Sequence, residues 1–223
     1  MTVVLNFQTN HGRPLDLTVR DCVVAGWTGR DKSALDHHIE ELAALGIPGP
    51  SHVPLYYRAA AGVVTQAYRV QVLGGESSGE VEPVLISADD GLWLTVGSDH
   101  TDRKVEAYSI PVSKQMCPKV LARDAWKLDE VIDRLDELTL EARVMIDGAE
   151  VVYQTGTLAM IRPLMELVDG YGGLPSGTVM LCGTVPVTGG IRPADRFAMR
   201  LSDPRTATAI DHAYDIETLP VVN

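Results

Sequence analysis

The chain is broken into many short apolar stretches rich in β-branched residues, separated by Gly, Asp and Pro, a pattern that predicts strands. These stretches run from Thr2 to Phe7, Leu15 to Val24, Val63 to Leu73, Glu80 to Ser87, Leu92 to Val96 and Val105 to Ile110. They continue at Leu140 to Ile146, Val151 to Gln154, Thr178 to Cys182, Arg196 to Leu201 and Thr206 to Ile216. Asp147-Gly148 between two of them is a tight-hairpin signal. Helical periodicity is confined to three places. From Ser33 to Leu45, Leu35, Ile39, Leu42 and Leu45 share a face, with Ser33 as N-cap and Gly46 as stop. Leu128 to Leu138 turns Val131, Leu135 and Leu138 inward, and Met160 to Val168 accommodates Pro163 in a first turn. Strands outnumber helices without alternating with them. That predicts a β-rich α+β domain, a folded-over sheet or barrel with peripheral helices.

Composition narrows the function classes. The 223 residues are 45% hydrophobic and 22% charged, enough for one large domain with a real core. A formal charge of −11 with no basic stripe argues against nucleic acid as a partner. No apolar run is long enough to span a bilayer, which argues against a membrane protein. The first residues lack the basic start and apolar segment of a signal peptide. Cys22, Cys117 and Cys182 form no CxxC pair and are odd in number, so neither a zinc knuckle nor a disulfide framework is indicated. Buried free thiols in a cytoplasmic protein are the expectation.

The candidate chemistry begins at Glu80-Val81-Glu82. Residues i and i+2 of a strand face the same way, so both carboxylates enter one space. Buried together they repel, and each is costly to desolvate unless a cation joins them. Asp99 would complete an all-oxygen set suited to Mg²⁺, Mn²⁺ or Ca²⁺ rather than zinc. A solvated acidic strand face carries the same spacing and is the competing reading. His38 and Glu41 stand i,i+3 on the first predicted helix, where a carboxylate can orient an imidazole as a water-activating base. His37 and Glu40 have the same spacing, so the register is open on spacing alone.

Read in order, the chain carries His38-Ile39-Glu40-Glu41-Leu42, then Gly46-Ile47-Pro48, and next Glu80-Val81-Glu82. Gly97-Ser98-Asp99-His100-Thr101-Asp102-Arg103 follows, then Lys114 ahead of Cys117-Pro118. Last come residues 174–186, ending Gly183-Thr184-Val185-Pro186, and Arg192-Pro193-Ala194-Asp195. This ordered set resembles the fumarylacetoacetate hydrolase superfamily, over about Asp36 to Leu201, as a divergent branch of it. Leu42 after Glu41 matches the His-x-x-Glu-Leu of that superfamily and favours the His38/Glu41 register.

The resemblance implies a single domain, with residues 1–62 giving N-terminal strands and a lid helix and residues 63–223 a metal-binding core. Glu80, Glu82 and Asp99 would hold Mg²⁺ or a similar cation. His38 with Glu41 would activate water, and Lys114 would stabilise an oxyanion. Arg103, Gly183 and Thr184 would bind a substrate carboxylate. The Gly/Pro-rich flank at Gly46 to Pro54 would hinge the lid. The implied reaction is metal-assisted C–C cleavage of a small β-diketo acid by a cytoplasmic homodimer. Hydration, isomerisation or decarboxylation of a related 2-keto acid, or a non-catalytic binding role, are the alternatives. Three departures fall in substrate-facing loops: Gly-Thr-Val-Pro for Gly-Thr-Pro, Pro-Ala-Asp for Pro-Gly-Asp, and Thr155-Gly156-Thr157-Leu158 for a Gly-Asn-Thr-Ser-Asp segment.

Overall fold

The computed structural model describes residues 2–33, 35, 40 and 49–222. The N-terminal strands are β1 (Val3–Thr9), β2 (Pro14–Val19), β3 (Asp21–Gly26), β4 (Leu55–Ala59) and β5 (Val64–Thr65). After β6 (Arg69–Leu73) and β7 (Ser77–Ser78) come β8 (Val81–Ala88), β9 (Gly91–Asp99) and β10 (Thr101–Asp102). Two short helices follow, α1 (Arg103–Glu106) and α2 (Ile110–Met116), then β11 (Lys119–Leu121) and β12 (Asp124–Lys127). The second half holds β13 (Thr139–Ile146), β14 (Ala149–Thr157), α3 (Leu164–Tyr171), β15 (Thr178–Leu181), β16 (Arg196–Asp203) and β17 (Thr208–Leu219).

These strands form a ten-stranded sheet in the order β2-β1-β12-β9-β8-β15-β3-β4, with β11 and β5 attached beside β9. A five-stranded sheet runs β14-β13-β16-β17-β6, and β10 pairs with β7 as a short ribbon. The β-rich α+β class read from the sequence is what the structure has. The N-terminal strands belong to the large sheet itself, since β3 lies parallel to β15 and β1 parallel to β12. Among the described residues no helix is long and apolar enough to cross a membrane.

β8 explains why the large sheet reads as a continuous apolar run rather than a clean alternation. Val81 and Leu85 pack into the core between the two sheets, with Val23, Leu94 and Val96. Val84 and Ile86 join the opposite face, under Leu5, Phe7 and Leu17. A strand buried on both faces keeps few polar positions, so those that remain stand out. The Asp147-Gly148 hairpin is also realised. Ile146 pairs with Ala149 across it, and both turn residues have positive φ (50° and 77°), as a type I′ turn requires.

Two expectations of element type are corrected. The stretch Val105 to Ile110 is not a strand but the end of α1, a turn and the start of α2. The Asp102 side chain caps α1 by accepting from the Val105 N–H at 2.9 Å, and Pro111 sits in the first turn of α2. Local capping thus overrides the β-branched content. Leu128 to Leu138 forms two 3-10 turns rather than an α-helix, broken at Arg134 (φ −137°). There the guanidinium reaches the buried Asp203 at 2.8 Å. Val131 and Leu138 are buried all the same and Leu135 packs against the same core, so the expected apolar face points inward. The third helix begins at Leu164, directly after Pro163, and ends on Gly172 in the left-handed conformation. The three cysteines are free and buried.

Candidate metal centre

The site grows out of the β8–β9 hairpin. Register places Val81 opposite Ser98 and Glu82 opposite Gly97, and the Asp99 N–H donates to the Glu80 carbonyl at 3.0 Å. Glu80 sits one residue ahead of β8 and Glu82 within it, so two carboxylates two residues apart meet one from the facing strand. Oxygen atoms of Glu80, Glu82 and Asp99 lie within 4.8 Å of one another. Glu82 and Asp99 are buried, whereas Glu80 keeps a partly open side chain. The competing picture of a solvated acidic strand face does not describe this arrangement.

Three cations surround the carboxylates. Lys114, on α2, lies 2.7 Å from Asp99 Oδ2, 3.2 Å from Glu106 Oε1 and 3.6 Å from Glu80 Oε2. Lys119, on β11 directly opposite Asp99, lies 2.8 Å from Asp99 Oδ1 and donates to the His100 carbonyl at 2.7 Å. Arg103 contacts Glu80 at 3.3 Å and Glu106 at 2.8 Å and donates to Ser78 Oγ at 2.8 Å.

The electrostatics follow from this placement. Burial would raise the Asp99 pKa, but Lys114 and Lys119 more than offset it and hold the carboxyl at about 2. Glu82 goes the other way. Burial and then the charges of Asp99 and Glu80 push its pKa well above the ordinary range. Burial would lower the Lys114 pKa, yet Asp99, Glu80 and Glu106 together raise it. The residues fit a hard divalent cation. All three donors are carboxylates, and each buried Asp99 oxygen is held by one lysine ammonium. Those oxygens hold only ion contacts, an arrangement that a coordinated cation would complete.

The Gly-Thr corner after β15 supports the acid. The Gly183 N–H donates to Glu82 Oε2 at 2.7 Å. Gly183 has φ +100°, and an added Cβ would stand 2.9 Å from Thr28 Cβ with Thr28 Oγ1 nearer still. Only glycine brings the amide this close. Thr184 Oγ1 donates to the Val81 carbonyl at 2.7 Å and accepts from Gln154 Nε2 at 2.7 Å. Gln154 Oε1 accepts from the Val81 N–H at 2.9 Å, so this amide braces the start of β8.

The structure therefore brings together Glu80, Glu82, Asp99, Lys114, Arg103 and Gly183, as the sequence suggests. It gives some of them different neighbours. Lys114 and Arg103 are ion-paired to the site's own carboxylates, and the Thr184 hydroxyl is committed to the β8 backbone. Asp102, although adjacent to Arg103 in sequence, caps α1. His38 and Glu41, with the lid helix built on them, lie outside the described residues. Sequence reasoning missed Lys119 and Glu106. A lone lysine opening the run Lys119-Val-Leu-Ala was the available signal. It also gave His100 no defined role. That imidazole is fully buried, with Nδ1 bonded to the Tyr214 hydroxyl and Nε2 to Ser77 Oγ, both at 2.9 Å.

The family model described as "Protein of unknown function (DUF2848)" matches residues 25–214. No curated protein matches the sequence. Among solved structures, Cg1458 is similar over 99% of this chain and 100% of its own, at 12% identity and a TM-score of 0.63. A candidate fumarylpyruvate hydrolase from Burkholderia cenocepacia is similar over 100% of this chain and 97% of its own, at 13% identity and 0.62. A 2-keto-3-deoxy-D-arabinonate dehydratase, solved with magnesium and 2,5-dioxopentanoate, is similar over 93% of this chain and 77% of its own, at 14% identity and 0.60. At such identities the likeness is one of fold.

Proposed function

Since the chain belongs to the DUF2848 family and carries the fold of the fumarylacetoacetate hydrolase superfamily, we propose that it is a divalent-metal-dependent enzyme acting on a small keto acid, with hydrolytic cleavage of a β-diketo acid as its reaction. One observation carries the proposal. Three carboxylates converge within 4.8 Å, Glu82 and Asp99 buried and Glu80 partly open, and the Asp99 oxygens are held by lysine ammoniums alone. A surface ion cluster would not bury its acids this way.

A bound Mg²⁺ would supply Lewis acidity towards the carboxylate and keto oxygens of such a substrate. The chain's own groups supply the rest. Asp99 offers ionised oxygens, and the Gly183 amide holds Glu82 in place by a hydrogen bond to Oε2. Lys114 and Arg103 bring positive charge beside Glu80 and Glu106. An ammonium there can donate to a substrate oxyanion once it leaves Asp99. The water-activating base of this reading is His38 with Glu41, taken from the sequence alone.

The dehydratase among the similar structures favours a second reading, loss or addition of water at a 2-keto acid. Both are tested by incubating the purified protein with Mg²⁺ and a panel of acylpyruvates, 2-keto-3-deoxy acids and oxaloacetate. Acylpyruvate cleavage that disappears in His38→Ala supports the hydrolase. Turnover of the deoxy acid that survives His38→Ala supports the second reading, whereas CO2 release from oxaloacetate in that variant points to decarboxylation. No turnover of any of them argues against both.

A further inference from the structure

Between the 3-10 turns that end at Leu138 and the start of α3 lies a cavity of about 340 Å³, and none of its lining residues belongs to the metal centre. Three arginines and three acids line it, and their pairing is uneven. Asp136 is taken by Arg30 at 2.6 Å, Asp133 by Arg134 and Arg205 at 3.0 and 3.2 Å, and Glu137 by Arg205. Arg134 also holds the buried Asp203. Arg162 is the cation left over. Among the described residues its guanidinium has no ion pair, and its buried Nε has no hydrogen-bond partner. A buried donor on a charged group is costly when it is left unpaired.

Its position in the chain adds to that cost. Arg162 directly precedes Pro163, the N-cap of α3, and no side chain caps this helix. A helix N-terminus carries partial positive charge, so a cation there has the wrong sign and an anion the right one. Glu166 stands in the first turn, but it is exposed and forms no ion pair with Arg162. We infer that the cavity is a binding site for a small carboxylate with an apolar body, its head held by Arg162 at the start of α3.

The walls set the rest of the ligand. Ile132, Leu135, Leu158, Leu164 and Met165 share the cavity with Arg162. Leu158 and Leu164 are buried, whereas Ile132 is exposed. An inorganic anion would satisfy Arg162 and leave these apolar walls in water, whereas a short acyl carboxylate satisfies both. The planar guanidinium matches a carboxylate with two parallel hydrogen bonds. The volume falls at the lower end of the roughly 300–1,000 Å³ of small-molecule pockets. This site stands whether or not a metal binds at Asp99.

The test is calorimetric titration of hexanoate, inorganic phosphate and hexanol into wild type and Arg162→Met, in EDTA so that no metal-bound carboxylate contributes. Arg162→Met keeps an apolar stem and removes the charge, so hexanoate is expected to bind wild type and to lose about tenfold in affinity in the variant. Hexanol, which lacks the charge, should be unaffected by the substitution. Hexanol weakened as much as hexanoate would mean that packing rather than charge was lost, and overturns the inference. Phosphate binding wild type as tightly as hexanoate overturns it too, because the apolar walls would then contribute nothing. So does hexanoate that binds both proteins alike, or neither. If Arg162→Met does not fold, Ile132→Glu at the exposed edge of the cavity brings a like charge to the carboxylate and is expected to weaken hexanoate several-fold. An unchanged Kd there overturns the inference.

Discussion

Replacing Gly183 by alanine strikes the point where backbone conformation, packing and the acid meet. The glycine has φ +100°, and holding an L-residue there costs on the order of 1–2 kcal/mol. The new Cβ would approach Thr28 Cβ to 2.9 Å and Thr28 Oγ1 more closely, and Thr28 is β-branched and buried. Relieving that overlap requires a backbone shift costing about 1–3 kcal/mol. Together these predict a loss of about 2–5 kcal/mol, a large share of the roughly 5–15 kcal/mol of a typical domain. Urea unfolding measures it, with an unchanged m value confirming that the native state alone is affected. Thr28→Ala in the Gly183→Ala background removes the nearest clashing atom and should recover on the order of 1 kcal/mol, leaving the φ penalty in place. A Gly183→Ala protein within about 0.5 kcal/mol of wild type, the scale of an ordinary surface change, would refute the reasoning.

The remaining predictions are simpler. Saturating Mg²⁺ or Mn²⁺ at about 100 times its Kd should stabilise the wild type by about 2.7 kcal/mol, a rise in Tm of about 5–10 °C. Glu82→Gln and Asp99→Asn should abolish that rise in a thermal melt, and an unchanged rise in both would remove them as ligands. Burial, and then Lys119 and Arg103, push the His100 imidazole down to about 3 from its ordinary 6.5. A depressed pKa contributes stability that is complete above 6.5 and is lost as pH falls towards 3. Between pH 6.5 and pH 5 the loss is about 2 kcal/mol. His100→Gln should lack that component in urea unfolding at pH 7 and pH 5, and equal losses in both proteins would sink the argument. Gly148→Ala should cost about 1 kcal/mol, purely conformational, since φ is +77° and nothing lies within 4 Å of the added Cβ. A neutral Gly148→Ala in the same assay would mean the turn relaxes freely.

Residue order alone dictates local geometry. Two residues apart on a strand is one face, so Glu80 and Glu82 had to point into one space wherever the strand ran. Asp147-Gly148 had to turn tightly because two consecutive residues there readily take positive φ. Gly183-Thr184 marked a close backbone approach for the same kind of reason. Capping was as local but easier to overlook, which is why Val105 to Ile110 reads as a strand until Asp102 and Pro111 are given their weight.

The partners come from long-range strand pairing. Nothing in the spacing of residues 99 and 119 says that they face each other; that follows from β11 pairing with β9. The same pairing buries Lys119, and the five-stranded sheet brings Tyr214 over His100. Glu106 meets Lys114 only because a turn separates two short helices. Chain geometry over a few residues is set by bond rotation and capping, whereas ion pairing is set by which distant strands share a ladder. Glu80, Glu82 and Asp99 were therefore legible as a set of acids. The cations that balance them came from the fold.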